Sequence, residues 1–221
     1  MKKANRYDTS ALPEAQFEPG SRDRVLKNKL GIGIKSKRLM DKVEREEQLR
    51  VIGKLAGIYD ADHRFTATDI CNIHKVWLGN VYEWAGKYRR VNISKGDFSF
   101  AAAMQVPKVM SEFEKGPLYE FTPCNFKTVD QIAKSLAIVH TELVLVHPFR
   151  EGNGRAARML SNLMGLQAGL PPLDFSGIVG NRKKDYIQAI HAGIEHNYLP
   201  MERIFNAVIR RTLRIRGHRQ L

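Results

Sequence analysis

Hydrophobic residues recur at spacings of three and four along most of the chain, a pattern that predicts amphipathic helices. The first long helix is expected to begin after Ser36, a residue type that favours helix N-caps, and to end near Tyr59. Its predicted buried face comprises Leu39, Val43, Ile52 and Leu55. Ahead of this helix prolines and a glycine interrupt any period, so residues 1–30 are predicted to form an irregular lead-in to one folded unit over residues 31–221.

Two capping boxes mark the starts of further helices. Thr66 is followed three residues later by Asp69, and Thr128 by Gln131, so side chain and main chain can satisfy one another at each start. The second of these helices is expected to run to His147. The residues that the two helices would bury are Ile70, Ile73, Trp77, Ile132, Leu136, Val139 and Leu143.

One segment departs from the helical pattern. Between residues 91 and 100 apolar and polar residues alternate around Lys95–Asp97, which predicts a short β-hairpin. A single hairpin cannot form a sheet core by itself, so it would decorate a helical body or offer a strand edge to a partner. The expected fold class is therefore all-α, a helical bundle with a small β-hairpin.

Composition excludes several classes of protein. The chain has 221 residues, of which 43% are hydrophobic and 27% charged, as in an ordinary globular protein rather than a disordered one. Two cysteines exclude a disulfide framework and a cysteine-rich zinc site. We expect no membrane association, because no apolar run approaches the roughly 20 residues that a membrane span needs, and the N-terminal residues lack a signal-peptide pattern.

The charge of the chain is positive and uneven. Lys and Arg number 36 against 23 Asp and Glu, so the formal net charge is 36 − 23 = +13. The last predicted helix has Pro200 in its first turn and is basic, because residues 203–221 contain six arginines and the one nearby acid is Glu202. Such a helix could meet phosphate or an acidic protein, or form a solvated face; nucleic acid is disfavoured as the main partner.

The segment of residues 147–158 reads HPFREGNGRAAR and carries the candidate chemistry. Pro148 disfavours helical conformation in the residue before it, so the preceding helix is expected to end there. Gly152 and Gly154 allow positive φ and a close approach to a ligand, and a new helix follows them. Free main-chain N–H groups at that helix start, around Asn153, would form an anion-binding cradle.

Charged side chains flank this cradle. Arg155 and Arg158 are three residues apart on one helix face and could both point at phosphate groups. Glu151 would be repelled by phosphate unless a cation such as Mg²⁺ lay between them. His147 can take a proton from a hydroxyl near neutral pH. The segment therefore predicts phosphate binding with acid–base chemistry beside it.

This segment resembles the signature of Fic (filamentation induced by cAMP) proteins, His-Pro-Phe-x-Asp/Glu-Gly-Asn-Gly-Arg-x-x-Arg. All nine specified positions match, with Glu151 as the acid. The stretch VLKNKLGI at residues 25–32 is similar to the lead-in of Fic toxins. The stretches YEWAG at 82–86 and VNISKG at 91–96 are similar to the flap region of the family. The resemblance implies a helical Fic fold with a hairpin flap, and a Fic domain over residues 31–221 that ends in the basic helix.

The resemblance also implies an activity: transfer of AMP from ATP to a Ser, Thr or Tyr hydroxyl of a target protein. His147 would be the general base, and Glu151 would hold Mg²⁺ between the α- and β-phosphates. Gly152, Asn153 and Gly154 would surround those phosphates.

The remaining implied roles concern the ends of the substrates. Arg155 would help to hold the β-phosphate and Arg158 would reach the γ-phosphate, while Tyr186 would line the adenine pocket. The flap would pair with a target segment as an added strand. Its residues are Ser94, Lys95, Gly96, Asp97 and Phe98.

Fic proteins are commonly restrained by a helix with the pattern Ser/Thr-x-x-x-Glu-Gly/Asn, whose glutamate pairs with the arginine that corresponds to Arg158. Glu precedes Gly or Asn in this sequence at one place, Glu151–Gly152, inside the signature itself. We therefore expect a toxin-like member in the bacterial cytoplasm, restrained by a small helical antitoxin in trans. A topoisomerase subunit is a candidate target by resemblance.

Other readings stay open. The protein could be a host-directed Fic effector that is secreted into a host cell. It could use another nucleotide or a choline phosphate donor. From a different class, it could be an inactive basic adaptor that binds nucleic acid or an acidic protein through residues 203–219.

Overall fold

The computed structural model describes residues 11–22, 24–30, 34–96 and 98–217. It confirms the expected fold class, because seven longer helices and one two-stranded hairpin account for most of the described chain. The helices are α1 (Lys37–Ile58), α2 (Ala67–Leu78), α3 (Val106–Phe113), α4 (Val129–Val146), α5 (Asn153–Gln167), α6 (Asn181–Ala192) and α7 (Leu199–Gly217). After α3 a π-helical turn (Glu114–Leu118) and a short α-helical turn (Tyr119–Phe121) continue the same path.

Both predicted capping boxes are confirmed. The main-chain N–H of Asp69 donates to the Thr66 hydroxyl at 3.2 Å, and that of Gln131 donates to the Thr128 hydroxyl at 3.3 Å. The side chains of Asp69 and Gln131 return the interaction to the main-chain N–H of the capping threonines. These local signals fix where α2 and α4 begin, and therefore which of their faces enters the core.

Helix α4 lies at the centre of the molecule. It packs against α5 on one side and against α7 on another. The predicted buried residues of α2 and α4 are all buried. Helix α7 contributes Phe205, Val208 and Ile209 to the same core. The loop that joins α4 to α5 is the 147–152 segment, so the core holds both ends of the candidate site.

The predicted buried face of α1 is wrong in part. Leu39 and Ile52 are exposed, whereas Met40, Glu44, Val51 and Leu55 are buried. The helix turns its Glu44 side inward because this carboxylate meets Arg155 below the 147–158 segment. A pattern of apolar residues could not predict a buried face that contains a charge.

The hairpin and the lead-in both lie against the helical body. Strands β1 (Ser94–Lys95) and β2 (Phe98–Ser99) are antiparallel, with Ser94 opposite Ser99 and Lys95 opposite Phe98. Asp97 lies outside the described residues, as do residues 31–33. In the lead-in a 3₁₀ turn spans Pro13–Ala15, and an isolated antiparallel bridge joins residues 17 and 26. None of the helices in the described ranges combines the length and apolar character that a bilayer crossing requires.

Candidate active site

The loop between α4 and α5 has left-handed backbone at both ends. His147 caps α4 at φ 52°, and Gly152 precedes α5 at φ 83°. A Cβ atom at Gly152 would also lie 2.8 Å from the Trp77 ring, so glycine is required there for two independent reasons. The loop therefore leaves one helix and enters the next within a few residues, as the sequence predicted.

Helix α5 begins with unpaired donors. The N–H groups of Arg155 and Ala156 both reach the Gly152 carbonyl, at 3.0 and 2.9 Å. Within the described part of the chain, the N–H groups of Asn153 and Gly154 have no acceptor. They point from the positive end of the helix dipole, which is the arrangement that binds phosphate.

The side chain of Asn153 holds the 147–152 loop together. Its Oδ1 accepts from the Phe149 N–H and its Nδ2 donates to the Phe149 carbonyl, both at 2.8 Å. The residue is buried. Asn153 can thus offer an anion its main-chain N–H, while its amide closes the loop.

His147 is poised as a neutral base. Its Nδ1 lies 3.0 Å from the Val144 carbonyl, which can only accept, so Nδ1 carries the proton and Nε2 presents a lone pair. The partly buried imidazole stacks on the Phe100 ring with centroids 3.7 Å apart. Burial lowers the pKa of His147 to about 4, partly opposed by the Val144 hydrogen bond. The imidazole is therefore unprotonated at neutral pH.

Arg89 ties His147 to the hairpin, and the sequence patterns did not single it out. Its guanidinium donates to the carbonyls of His147 at 2.7 Å, Val91 at 3.0 Å and Ala101 at 2.6 Å. Its main-chain N–H donates to the Pro148 carbonyl at 2.8 Å. One buried side chain thus joins the 147–152 loop to both ends of the hairpin segment. Its place between the YEWAG and VNISKG stretches is the signal that could have found it.

His74 supports the other end of the loop. The Gly86 N–H donates to His74 Nδ1 at 2.9 Å, so Nε2 carries the proton and donates to the Glu151 carbonyl at 3.1 Å. The ring stacks on Phe149 with centroids 3.9 Å apart. Burial lowers the pKa of His74 to about 4. His74 is therefore uncharged at neutral pH and supports the loop through its hydrogen bond and ring stacking.

The lead-in reaches the same loop. Glu14 is buried, and its carboxylate accepts from the Arg90 N–H at 2.6 Å. The Glu14 carbonyl accepts from Arg150 Nε at 2.8 Å. A segment that looked like an irregular appendage therefore connects the base of the flap to the 147–152 loop.

The two arginines of the signature have different surroundings. Arg155 places Nη1 at 2.6 Å from Glu44 and Nη2 at 3.5 Å from Glu151. Arg158 lies against two aromatic rings, with its Cζ 5.5 Å from the centroid of Tyr186 and 5.8 Å from that of Phe175. Arg158 Nε is buried and finds no hydrogen-bond partner among the described residues. An orphaned cationic donor of this kind fits a phosphate ligand.

Tyr186 is held beside Arg158 by a chain of hydrogen bonds. Its hydroxyl donates to His140 Nε2 at 2.8 Å, and His140 Nδ1 donates to the Ser161 hydroxyl at 3.1 Å. Ser161 in turn donates to the Ala157 carbonyl of α5. His140 is a buried core residue, and burial lowers its pKa to about 3. The chain connects the Tyr186 ring rigidly to the helix that carries the signature.

The residues around Glu151 fit a magnesium ion that arrives with a nucleotide. Among the described residues no three His, Cys, Asp or Glu side chains gather as a metal cage. Mg²⁺ commonly binds one or two carboxylates together with substrate phosphates. Glu151 Oε1 accepts from the Gly152 N–H at 3.1 Å and faces Arg155. Glu151 is thus a carboxylate that could hold such a cation.

A comparison with protein families agrees with this geometry. The family model described as the Fic/DOC family matches residues 64–164, which span α2, the hairpin, α3, α4 and most of α5. Residues 64–164 are therefore assigned to the Fic/DOC family. The 147–158 segment, which matches the Fic signature, and the hairpin both lie within the matched residues.

Two curated relatives show the extent of the similarity. The Fic chain is 37% identical over 112 residues to "Protein adenylyltransferase fic-1" of Caenorhabditis briggsae, a match that covers 50% of the chain and 21% of the relative. It is 30% identical over 174 residues to "Protein adenylyltransferase VbhT" of Bartonella schoenbuchensis, covering 74% of the chain and 33% of the relative. The chain thus spans a third or less of these two proteins.

A solved structure shares the Fic fold. The BepC protein of Bartonella tribocorum, described as a VirB-translocated effector with bound AMPPNP, superposes with a TM-score of 0.69. Sequence identity is 25%, and the superposition covers 90% of this chain and 97% of that one. The arrangement of helices and hairpin is therefore that of a Fic domain.

Proposed function

We propose that this Fic domain is a protein adenylyltransferase that moves AMP from ATP to a hydroxyl of a target protein. The observation that carries the proposal is the neutral His147 at one end of the 147–152 loop, whose other end leads into the free N–H groups at the start of α5. A base and an anion cradle at one loop are what transfer of a nucleotidyl group to a hydroxyl requires. The names of the two curated relatives support the same reaction.

The proposed step balances as follows. The target hydroxyl oxygen forms a bond to the α-phosphorus of ATP while the bond to the bridging oxygen of the β-phosphate breaks. The hydroxyl proton passes to His147 Nε2, and pyrophosphate leaves. Holding the hydroxyl in line with the leaving oxygen supplies much of the acceleration.

The phosphates would be held by main chain and arginines together. The N–H groups around Gly152, Asn153 and Gly154 would face the α- and β-phosphates. Arg155 keeps further N–H donors for the β-phosphate, and the unpaired Nε of Arg158 suits the γ-phosphate. Mg²⁺ on the outer oxygen of Glu151 would neutralise charge that grows on the leaving phosphates.

The two ends of the site would determine which nucleotide and which target segment bind. Tyr186, held beside Arg158, would border the adenine. Ser94 and Lys95 are exposed on β1, so the flap offers a strand edge to a target segment, and Phe98 stacks near His191 on α6. Gly96 lies in a turn directly after β1, and Asp97 lies outside the described residues.

One experiment tests this proposal. Purified protein is incubated with Mg²⁺, bacterial lysate and ATP labelled at the α-phosphate. The same assay is run with His147→Ala and with the control His196→Ala. The imidazole of His196 is exposed and hydrogen-bonded to Tyr198. We expect protein-bound label with wild type and His196→Ala but not with His147→Ala, which should still bind ATP. ATP labelled at the γ-phosphate should leave no label.

Other results would replace the proposal. Equal labelling by His147→Ala would remove the base from the mechanism, and γ-label on protein would indicate phosphoryl transfer instead. Label from another nucleotide would identify a different donor. Absence of label with every donor, together with salt-sensitive DNA binding, would favour the basic adaptor.

For regulation, we propose a toxin restrained in trans by a small helical antitoxin. Among the described residues no carboxylate pairs with Arg158, which supports a brake supplied by another molecule. A helix with a glutamate opposite Arg158 should suppress transfer; full transfer with that helix bound would refute this part. The similarity to a translocated effector supports the alternative of a host cell as the site of action. A topoisomerase subunit in the bacterial cytoplasm is the target to test first.

The division into a lead-in of residues 1–30 and a Fic domain of residues 31–221 stays a prediction. The contacts of Glu14 with the loop suggest a sharper version, in which the lead-in is needed for transfer.

A further inference from the structure

A buried charge outside the signature lies directly beneath it. Glu44 of α1 is 1% exposed. Its Oε1 accepts from the Tyr82 hydroxyl at 2.7 Å, and its main-chain carbonyl accepts from Trp77 Nε1 at 2.8 Å. A carboxylate in such a place costs several kcal/mol unless a cation compensates it. Glu44 therefore needs a cationic partner inside the protein.

That partner is the first arginine of the signature. Arg155 Nη1 lies 2.6 Å from Glu44 Oε2, a close ion pair whose angles fall short of a directed hydrogen bond. The guanidinium lies over the Trp77 ring, with Cζ 4.8 Å from its centroid. Its Nη2 is 3.5 Å from Glu151 Oε1. Arg155 thus bridges a buried carboxylate and an exposed one.

We propose that Glu44 is a positioning residue that orients the metal-binding carboxylate of Glu151 through Arg155. This inference rests on the proposed function. The guanidinium is planar and rigid, so anchoring one nitrogen on Glu44 fixes where the other nitrogen meets Glu151. The Gly152 N–H holds the same Glu151 oxygen, and the remaining oxygen is directed to the cation.

The charges of the three side chains support this role. Arg155 shares its positive charge between Glu44 and Glu151. A neutral residue at position 44 would leave the guanidinium to neutralise Glu151 alone, which disfavours a divalent cation there. Glu44 does not resemble an inhibitory glutamate that can move in and out of the site, because Tyr82 and Trp77 hold its side chain and main chain inside the core.

The test measures nucleotide binding rather than transfer. Isothermal titration with ADP, in the presence of Mg²⁺ and in EDTA, compares wild type with Glu44→Gln. Loss of a residue that orients a metal ligand typically weakens metal binding about 10- to 100-fold. We expect that loss in the affinity for Mg²⁺·ADP, with the affinity for ADP in EDTA unchanged. Glu47→Gln, one turn along α1 and paired with Arg50 at the surface, should match wild type.

A double-mutant cycle separates positioning from general stability. If Glu44 acts through Arg155, adding Glu44→Gln to Arg155→Gln should weaken Mg²⁺·ADP binding no further. Additive losses would overturn the inference, as would a Glu44→Gln affinity within twofold of wild type. Should Glu44→Gln fail to fold, Tyr82→Phe removes one support of Glu44 and keeps its charge; a smaller loss specific to Mg²⁺·ADP is expected, and no change would overturn the inference.

Failure of the proposed function can be distinguished from failure of the proposed role of Glu44. Wild-type protein that binds no Mg²⁺·nucleotide would refute the adenylyltransferase and this inference together. Wild-type binding with an unaffected Glu44→Gln variant would remove the role of Glu44 alone.

Discussion

Arg89 is the side chain whose loss should reveal most about how the site is built. Arg89→Met keeps the aliphatic stem and removes a guanidinium that donates to three main-chain carbonyls. Those carbonyls belong to the 147–152 loop and to both ends of the hairpin segment. The substitution therefore disconnects two parts of the site without touching the signature.

The structure allows a rough magnitude. An acceptor left without a partner in a protein interior costs about 1–3 kcal/mol. Burial lowers the pKa of Arg89, which indicates that the guanidinium itself loses solvation, and its removal returns part of that cost. With three acceptors affected, we expect Arg89→Met to lower the free energy of unfolding by about 3–5 kcal/mol. Arg89→Lys, which can keep one bond, should lose about 2 kcal/mol.

Activity should fall more than stability alone explains. A displacement of about 1 Å at a reacting group can cost roughly 100-fold in rate. Urea unfolding followed by circular dichroism gives the stability, and AMP transfer by the folded fraction at low temperature gives the rate. Arg90→Met is the matched control, because Arg90 is adjacent and exposed. An Arg89→Met variant within 1 kcal/mol of wild type, with normal transfer, would refute the reasoning.

Three further predictions follow from the same residues. Because the pKa of His147 is lowered to about 4, kcat/KM for transfer should stay level from pH 7.5 to about 5, where an ordinary histidine would already be protonated. His74 and His140 have folded-state pKa values of about 4 and 3, below the value in the unfolded chain. Because the unfolded chain therefore binds protons first as the pH falls, the free energy of unfolding should reach its plateau above about pH 6.5. At pH 5 it should be lower by roughly 2 kcal/mol per histidine. Gly152→Ala should abolish Mg²⁺·ADP binding, because its Cβ would strike Trp77 at positive φ.

Each of these three has a result that would contradict it. A pH profile with its acidic limb at 6.5 would mean that His147 is not desolvated in the free enzyme. Urea midpoints that do not move between pH 7.5 and 5 would mean that the two buried histidines gain no protons on unfolding. Normal nucleotide binding by Gly152→Ala, with Gly57→Ala on the open surface of α1 as the control, would mean that the loop can relax around a methyl group.

Local features of the fold were predictable because neighbouring residues determine them. The capping boxes at Thr66 and Thr128 and the helix start at Gly152 depend on residues within four positions of one another. The hairpin depends on a similarly short pattern. For the same reason the 147–158 segment could be read from sequence as a cradle at a helix start.

The supports of the site could not be predicted in this way. Glu14, Glu44, His74 and Arg89 are polar residues far from the signature in sequence, and hydrophobic patterns assign such residues to the surface. Their burial depends on partners that only the folded chain brings together. The misplaced face of α1 has the same origin, since Glu44 turns inward to meet Arg155.

The order of these supports along the chain has a consequence for synthesis. The residues that support the 147–152 loop precede it in sequence, so they leave the ribosome before the loop does. They are Glu14, Glu44, His74 and Arg89. Phe175 and Tyr186, which flank Arg158, emerge afterwards, followed by α7, which covers α4. If the proposed roles hold, a nascent chain would accordingly place His147 in its loop first and complete the surroundings of Arg158 afterwards, so transfer would wait for residues 175–186 to emerge.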